Sequence, residues 1–453
     1  MTTLKIQNTL GNIKEAFVPV NASHVRIYAC GPTVYDYAHI GNARMAVVND
    51  LLVRLLRRLY PKVTYVSNIT DIDDKIIKRA KKQKITPKKL AKNFEKIYYE
   101  DMKSLKNNAV TKYARATDFI PQIISQIKIL IKKEYAYKLK DGYYFNIKKC
   151  KDYGKLSGRT ILEAEDAITR IDNNINKKNK GDFCLWKFSK KNEPEWDSDF
   201  GKGRPGWHIE DTVITNKFFG SQYEVHGGAL DLIFPHHEAE IALMESSSGK
   251  KPFVKYWLHT GFLNIKGEKM AKSLGNFMTI RQALEKYDYK VLRYLFLSNH
   301  YKTPLDFTEN MLEQSKNSLE RINELALKSK GKPRRLNQGY VDETKSDFIY
   351  HLDDDFNTPR AFSVLFNFIR EANTKDAGNE AFNFLKEINN IFDILTLTAD
   401  KKISKKLKEL IKKREKARKE KDFDLSDKIR LELKKEGIIL EDTEKGVRWK
   451  KIN

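Results

Sequence analysis

Apolar positions along the chain alternate between two periods. HVRIYA (24–29) and KVTYVSNI (62–69) are short, β-branched runs that read as strands, the second suited to the middle of a parallel sheet. Between them lie a loop, CGPTVYDYA (30–38), and the segment HIGNARMAVVNDLLVRLLRRLY (39–60). Val47, Val48, Leu51, Leu52, Leu55 and Leu56 recur there at helical spacing and predict a helix with one buried face. Helices are predicted around 72–106 and 118–133, then two short strands near 135–147. From 150 to 206 the signals are turns and irregular structure, which reads as an insertion between two halves of one sheet. Alternation returns with YEVHG (223–227), PHHEAEIALMESS (235–247) and YWLHTGFLNI (256–265). Beyond about 285 the pattern is helical through 289–298, 309–328, 343–373 and 379–396, before a basic helix pair and a hairpin at 437–451. The sum predicts an α/β fold, a doubly wound parallel-sheet domain followed by helices.

Composition narrows the class. A chain of 453 residues implies two to four domains at roughly 100–200 residues each. With 40% hydrophobic residues it is too apolar for a disordered polyelectrolyte. No apolar run approaches the roughly 18 residues needed to span a bilayer. The start, MTTLKIQNTLGNIKEAF, lacks the layout of a secretory signal, and three cysteines are too few for a disulfide framework. A cytoplasmic protein is expected. The net charge of +25 favours a polyanionic partner, nucleic acid first, although abundant Lys, Asn and Ile also follow from AT-rich coding. The distribution is more telling: residues 401–453 carry 20 Lys and Arg against 11 Asp and Glu.

Two short motifs could carry chemistry. His39, Gly41 and Asn42 sit where the first loop enters its helix, the place where phosphates meet backbone amides and the positive end of the helix dipole. A capped helix start is the bland reading. Lys269 and Lys272 in KGEKMAKSLGN are spaced by three between glycines, so the loop can close on a polyphosphate and stabilise charge on a leaving group. A solvated basic loop is the bland reading there.

Together, HIGN and KMAKS resemble the HIGH and KMSKS signatures of class I aminoacyl-tRNA synthetases. YACGPTVYDYAHIGNAR, NITDIDDKIIKRA, GRPGWHIE, HGGALDLIFPHHEAEIA and KMAKSLGNF are similar to the cysteinyl-tRNA synthetase family, as are DDDFNTPRAFSVLF (353–366) and GIILEDTEKGVRW (437–449). The resemblance implies a Rossmann-like catalytic domain at 1–125, a connective insertion at 126–205 and the second catalytic half with its KMAKS loop at 206–285. A helical stem-contact region at 286–335, a helical bundle at 336–400 and a basic anticodon-binding domain at 401–453 would follow. The implied partners are ATP with Mg2+, L-cysteine and tRNA(Cys), on a protein expected to be a monomer.

The resemblance also implies a zinc site that holds the substrate's thiolate. Cys30, His236 and Glu240 match its ligands, and His236 and Glu240, four apart on a helix, share one face. GWHIE is followed by Asp211 where the family usually has Cys. Asp211 could ligate the metal in its place with the same formal charge. Alternatively it points elsewhere, leaving three protein ligands and an open position, or there is no zinc at all. Zinc would separate cysteine from serine, which a pocket judging size alone does weakly. Cys150 and Cys184 lack metal-like spacing and read as structural.

By the same resemblance Gly31, Thr70 and Trp207 line the cysteine pocket, and His226, Gly227, Gly228 and Asp231 belong to the adenosine-binding stretch. His39, Asn42, Lys269 and Lys272 would be catalytic, with His39, Gly41, Asn42 and Lys272 also meeting ATP. Arg418, Phe423 and Asp427 would read the anticodon, Phe423 standing where the family's stacking residue is typically Trp. A relative that passes cysteine to a small amine and a non-catalytic RNA binder on the same scaffold are the alternatives. The segment 413–449 argues against the first, and intact HIGN and KMAKS against the second.

Overall fold

The computed structural model describes residues 3–159, 176–265, 267–269, 277–397, 405–420, 422–436, 438–443 and 446–451. The chain forms two units, residues 1–325 with 329–395, and residues 396–453 with 326–328.

The first unit is built on five parallel strands: β1 (Val25–Ala29), β2 (Val63–Ile69), β3 (Lys112–Arg115), β4 (Tyr223–Ala229) and β5 (Val254–Thr260). Their spatial order is β5-β4-β1-β2-β3. The chain therefore winds outward from β1 to β3, then returns to place β4 on the other side of β1. That reversal opens a crevice beyond the carboxyl ends of β1 and β4, where open α/β sheets bind their ligands. Val25, Ile27, Val66, Val225 and Trp257 are fully or almost fully buried, as expected for strands covered on both faces.

Helix α1 (Ile40–Leu59) follows β1 and turns Ala43, Val47, Leu51 and Leu55 onto the sheet. Its start is fixed by a capping box: Asn42 N–H donates to His39 Nδ1, and His39 N–H donates to Asn42 Oδ1. Helices α2 (Ile209–Phe219) and α3 (Glu238–Ser248) flank β4 in sequence and supply the crevice with acidic side chains.

Several elements differ from the expectation. The stretch 72–106 is two helices, Asp74–Lys82 and Pro87–Ser104, because Lys84 turns left-handed (φ 54°) and Thr86 caps a new start with Pro87 in its first turn. Likewise 343–373 is part of two helices, Gln338–Asp353 and Thr358–Thr374, parted at Asp355 and Phe356, both at positive φ. The described part of 150–206 is mostly turns and irregular structure, as expected, but two strands were missed. Strands Phe183–Phe188 and Gly203–Pro205 join Ala136–Leu139 and Gly142–Phe145 in a four-stranded antiparallel sheet. The run FCLWKF was masked by the polar, Gly- and Pro-rich segments around it.

The second unit pairs helices Lys405–Lys419 and Phe423–Lys435 with an antiparallel hairpin, Ile438–Thr443 and Gly446–Lys451. Ile411, Ile429, Leu433, Ile438 and Leu440 close a small core of its own. Among the described residues no helix is long and apolar enough to cross a membrane.

Candidate active site

Cys30 directly follows β1 at the mouth of the crevice, and its sulfur is buried among side chains from β4, α2, the turn Ile233–His237 and α3. Asp211 Oδ2 and Glu240 Oε1 each lie 3.9 Å from Cys30 Sγ. His236 Nε2 is 2.8 Å from Asp211 Oδ2 and 3.1 Å from Glu240 Oε1. The wide turn Ile233–His237 runs directly into α3, which keeps His236 and Glu240 in register, four residues apart, with their polar ends together. Asp211, in the first turn of α2, is fully buried, and its other oxygen accepts a short hydrogen bond from the Tyr28 hydroxyl. The structure thus brings Asp211 into the cluster beside Cys30, His236 and Glu240, all four within 4.8 Å of one another.

The donor set suits a divalent cation. Zinc bonds of roughly 2.0–2.3 Å put tetrahedral neighbours about 3.3–3.8 Å apart, near the observed separations. Two carboxylates and a thiol share one buried pocket, and among the described residues no lysine or arginine pairs with Asp211 or Glu240. Glu240 Oε2 is buried without a hydrogen bond. Burial, then Glu240 and Asp211, push the Cys30 thiol well up, and burial followed by the charge of Asp211 raises Glu240. A cation would relieve both effects by neutralising like charges in low dielectric.

Around this cluster stand imidazoles that the sequence reading did not group. His208 Nδ1 meets His236 Nδ1 at 2.8 Å, and His226 Nε2 and His237 Nε2 approach Cys30 Sγ at 3.3 and 3.1 Å. His259, on β5, reaches His237 Nδ1 at 2.8 Å. Burial lowers His208, His226 and His237 well below the usual range, and His259 to about 3. The signal was present in HGG, PHH and WLHT. It lay on strands and turns, where no single periodicity links the residues.

The expected cysteine-pocket residues are distributed around this centre. Gly31 N–H donates to the Asn68 side chain, and a Cβ on Gly31 would sit 1.8 Å from the Asn68 carbonyl oxygen. Gly31→Ala should therefore destabilise the β1–β2 ends, a loss readable as a lower thermal midpoint. Thr70 donates to Glu210, which also takes Asn68 Nδ2 at 3.2 Å. Trp207 stacks on His236 with centroids 4.3 Å apart and stays 37% exposed, so its indole borders the cluster on the solvent side. In the adenosine stretch the His226 side chain turns inward to Cys30, and Gly228 has a packing reason to be glycine: a Cβ would meet His237 Cε1 at 2.5 Å. Asp231 is exposed on the turn after β4.

The two signatures converge. Ile40 N–H donates to the Met278 carbonyl and Ile280 N–H to that of Ala38, joining the HIGN entry to the segment just after the KMAKS stretch. His39 and Phe277 rings lie 5.6 Å apart. Gly41 and Asn42 open α1, with the Asn42 side chain engaged in the capping box. Lys272 lies outside the described residues, and Lys269 is described only as part of the short strand Glu268–Lys269.

Arg44, one turn into α1 and fully buried, braces this junction and was not singled out from sequence. Its guanidinium donates to the carbonyls of Gly261 and Phe262 at 3.0 and 2.9 Å, and of His300 and Thr303 at 3.2 and 2.7 Å. Burial lowers its pKa to about 10. Lysine cannot span so many acceptors. Arg44→Lys should cost about 2–3 kcal/mol of stability, checked by urea unfolding.

In the second unit Phe423 is 59% exposed at the start of its helix, with Asp427 exposed one turn on and Arg418 exposed near the end of the preceding helix.

A doubly wound sheet, a switch-point crevice and HIGN juxtaposed with the KMAKS exit define a class I aminoacyl-tRNA synthetase. A family described as tRNA synthetases class I (C) catalytic domain matches residues 16–317, a DALR domain matches 347–415, and a cysteinyl-tRNA ligase anticodon binding domain matches 400–449. Among solved structures, Mycobacterium tuberculosis methionyl-tRNA synthetase in complex with methionyl-adenylate is similar in fold. It has a TM-score of 0.61 at 13% identity, over 82% of this chain and 89% of that one. A LeuRS–tRNA–LeuAMS complex from Agrobacterium radiobacter also has a TM-score of 0.61, at 10% identity over 83% and 84%. In sequence the chain is 43% identical to the cysteine–tRNA ligase of Carboxydothermus hydrogenoformans, over 99% of this chain and all of that protein. The chain belongs to the cysteine–tRNA ligase family.

Proposed function

We propose that this enzyme activates L-cysteine with ATP as cysteinyl-adenylate and passes the cysteinyl group to the 3′-terminal ribose of tRNA(Cys), selecting cysteine at a zinc site. The observation that carries this reading is the Cys30, Asp211, His236 and Glu240 cluster at the switch-point crevice, beside the start of α1. Zinc held by these four residues would take the substrate sulfur as thiolate and disfavour serine's oxygen. The chain's own residues then orient the reactants. Trp207 and Thr70 would bound the small side chain, and Asp231, exposed on the turn after β4, would accept from the ribose. His39 would donate to a phosphate oxygen at the amino end of α1, where the helix dipole favours charge building on the α-phosphate. Lys269 and Lys272 would close on the leaving pyrophosphate, with Mg2+ accompanying ATP. The carboxylate of cysteine attacks the α-phosphate in line, and orientation supplies most of the rate.

The test is cysteine-dependent ATP–pyrophosphate exchange on the full chain, run beside serine, followed by charging of tRNA(Cys). Exchange with cysteine far above serine, and charged tRNA, are expected. Exchange without charging would instead favour a small amine acceptor, a reading at odds with the anticodon-binding match at 400–449.

Anticodon reading supports one more expectation. Base stacking on an exposed ring contributes about 1–3 kcal/mol. Phe423→Ala should therefore weaken tRNA binding roughly 5- to 150-fold while leaving pyrophosphate exchange unchanged. Equal tRNA affinity in a filter-binding assay would remove Phe423 from the interface.

A further inference from the structure

His226 and His237 both point Nε2 at Cys30, which gives the structure two groupings that could surround one metal: Cys30, Asp211, His236 and Glu240, or Cys30, His226, His237 and Glu240. We infer that His226 and His237 are positioning residues rather than ligands, each donating its Nε2–H to the Cys30 sulfur at the end of a hydrogen-bond relay. The inference rests on the zinc reading above, which makes Cys30 a thiolate.

The number of available hydrogens decides between the two groupings. A neutral imidazole carries one N–H, so the atom facing each ring's far nitrogen settles what the near nitrogen can do. A thiol has one hydrogen and can satisfy at most one of two bare nitrogens, so at least one of these imidazoles must donate to sulfur. A metal-bound thiolate has none, so both donate. His226 Nδ1 is then bare and accepts from the Tyr223 hydroxyl, 2.8 Å away. His237 Nδ1 is bare and accepts from His259 Nε2–H at 2.8 Å. His259 Nδ1 in turn accepts from the Thr9 hydroxyl, also at 2.8 Å. Every group along both relays finds a partner of the opposite sense.

Packing fixes the rings in these orientations. The His226 ring stacks on Trp257 with centroids 4.5 Å apart, and the missing Cβ of Gly228 admits the His237 ring against β4. All three imidazoles are buried, but His226 and His237 pack on the buried Trp257, whereas His236 stacks on the partly exposed Trp207. A metal held by the inner four would be closed to substrate. One held by the outer four borders the open side, and a catalytic zinc needs that access.

The experiment uses the full chain loaded with zinc. Ring ¹⁵N spectra of histidine-labelled protein, assigned by single-histidine variants, should show the Nε2–H tautomer for residues 226, 237 and 259. Zinc affinity, read by chelator competition, should fall about 10- to 100-fold in His237→Leu, the usual effect of losing an outer-shell partner. It should largely return in His237→Gln, whose amide can donate where the imidazole did. Thr9→Val removes one hydroxyl at the partly exposed end of the relay without emptying the core, and should lower affinity a few-fold. Nδ1–H tautomers at 226 and 237, or a Gln variant as weak as Leu, would make these residues ligands and overturn the inference. Zinc affinities equal to wild type across the variants would show that the relay does not support the metal, and would overturn the inference as well. A wild-type chain that binds no zinc sinks the metal reading itself, a result distinct from unchanged affinity in the variants.

Discussion

Asp211→Ala should strip the site of most of its zinc and take cysteine activation with it. Asp211 Oδ2 lies against His236 Nε2 at 2.8 Å, and its Oδ1 takes the buried Tyr28 hydroxyl. Truncation removes one of four donors and leaves the buried Tyr28 hydroxyl without its acceptor, while His236 keeps Glu240 at 3.1 Å. The loss of affinity should exceed the roughly 100-fold upper range for outer-shell substitutions. Asp211→Cys restores the residue usual in the family and should keep zinc bound, with a shift toward softer ions. Metal content of protein purified without added zinc, together with chelator competition, reads all three chains. Equal zinc in wild type and Asp211→Ala would show that Cys30, His236 and Glu240 hold the metal without Asp211. A thermal melt guards against trivial unfolding, because the Ala variant should keep its fold while losing the ion.

The parts of this molecule that the sequence disclosed are those where a local pattern and a global role coincide. Helix α1 was legible because a capping pair, His39 and Asn42, precedes an apolar stripe of regular period. The strands of the central sheet were legible because burial on both faces leaves continuous apolar runs. The cluster of Cys30, Asp211, His236 and Glu240 needed the resemblance as well. His236 and Glu240 are one helical turn apart, but Cys30 and Asp211 come from distant elements that only the strand order brings together. The breaks at Lys84 and at Asp355 and Phe356 were missed because a left-handed residue other than glycine leaves no compositional mark. The imidazole relay and the Arg44 brace were missed for a different reason. Each depends on atoms converging from several elements, and no spacing along the chain encodes such convergence.

The same kind of convergence makes Asp50→Ala the most damaging substitution expected outside the crevice. Asp50, on α1, is fully buried, and its Oδ2 accepts from Arg293 at 2.7 Å and from Arg54 at 2.8 Å. Its Oδ1 takes the Ala109 N–H at 3.2 Å. Arg293, also fully buried, donates further to the Phe392 carbonyl at 3.0 and 2.8 Å. One ion pair therefore ties α1 to the helix Tyr289–Leu297 and to the end of the helix Asn379–Phe392. Removing the carboxylate leaves a guanidinium in low dielectric with only carbonyls for company, at a cost of about 3–5 kcal/mol. Arg293→Met should cost less, because Arg54, itself only partly buried, still pairs with Asp50. The double variant Asp50→Leu with Arg293→Met removes both charges and should recover much of the loss, since a well-packed apolar pair is often as stable as a buried ion pair. Urea unfolding, followed by the transition of the first unit, measures all three. If the double variant proves as unstable as the sum of the singles, the pair acts through its geometry at the three-element junction and not through the burial of an unpaired charge.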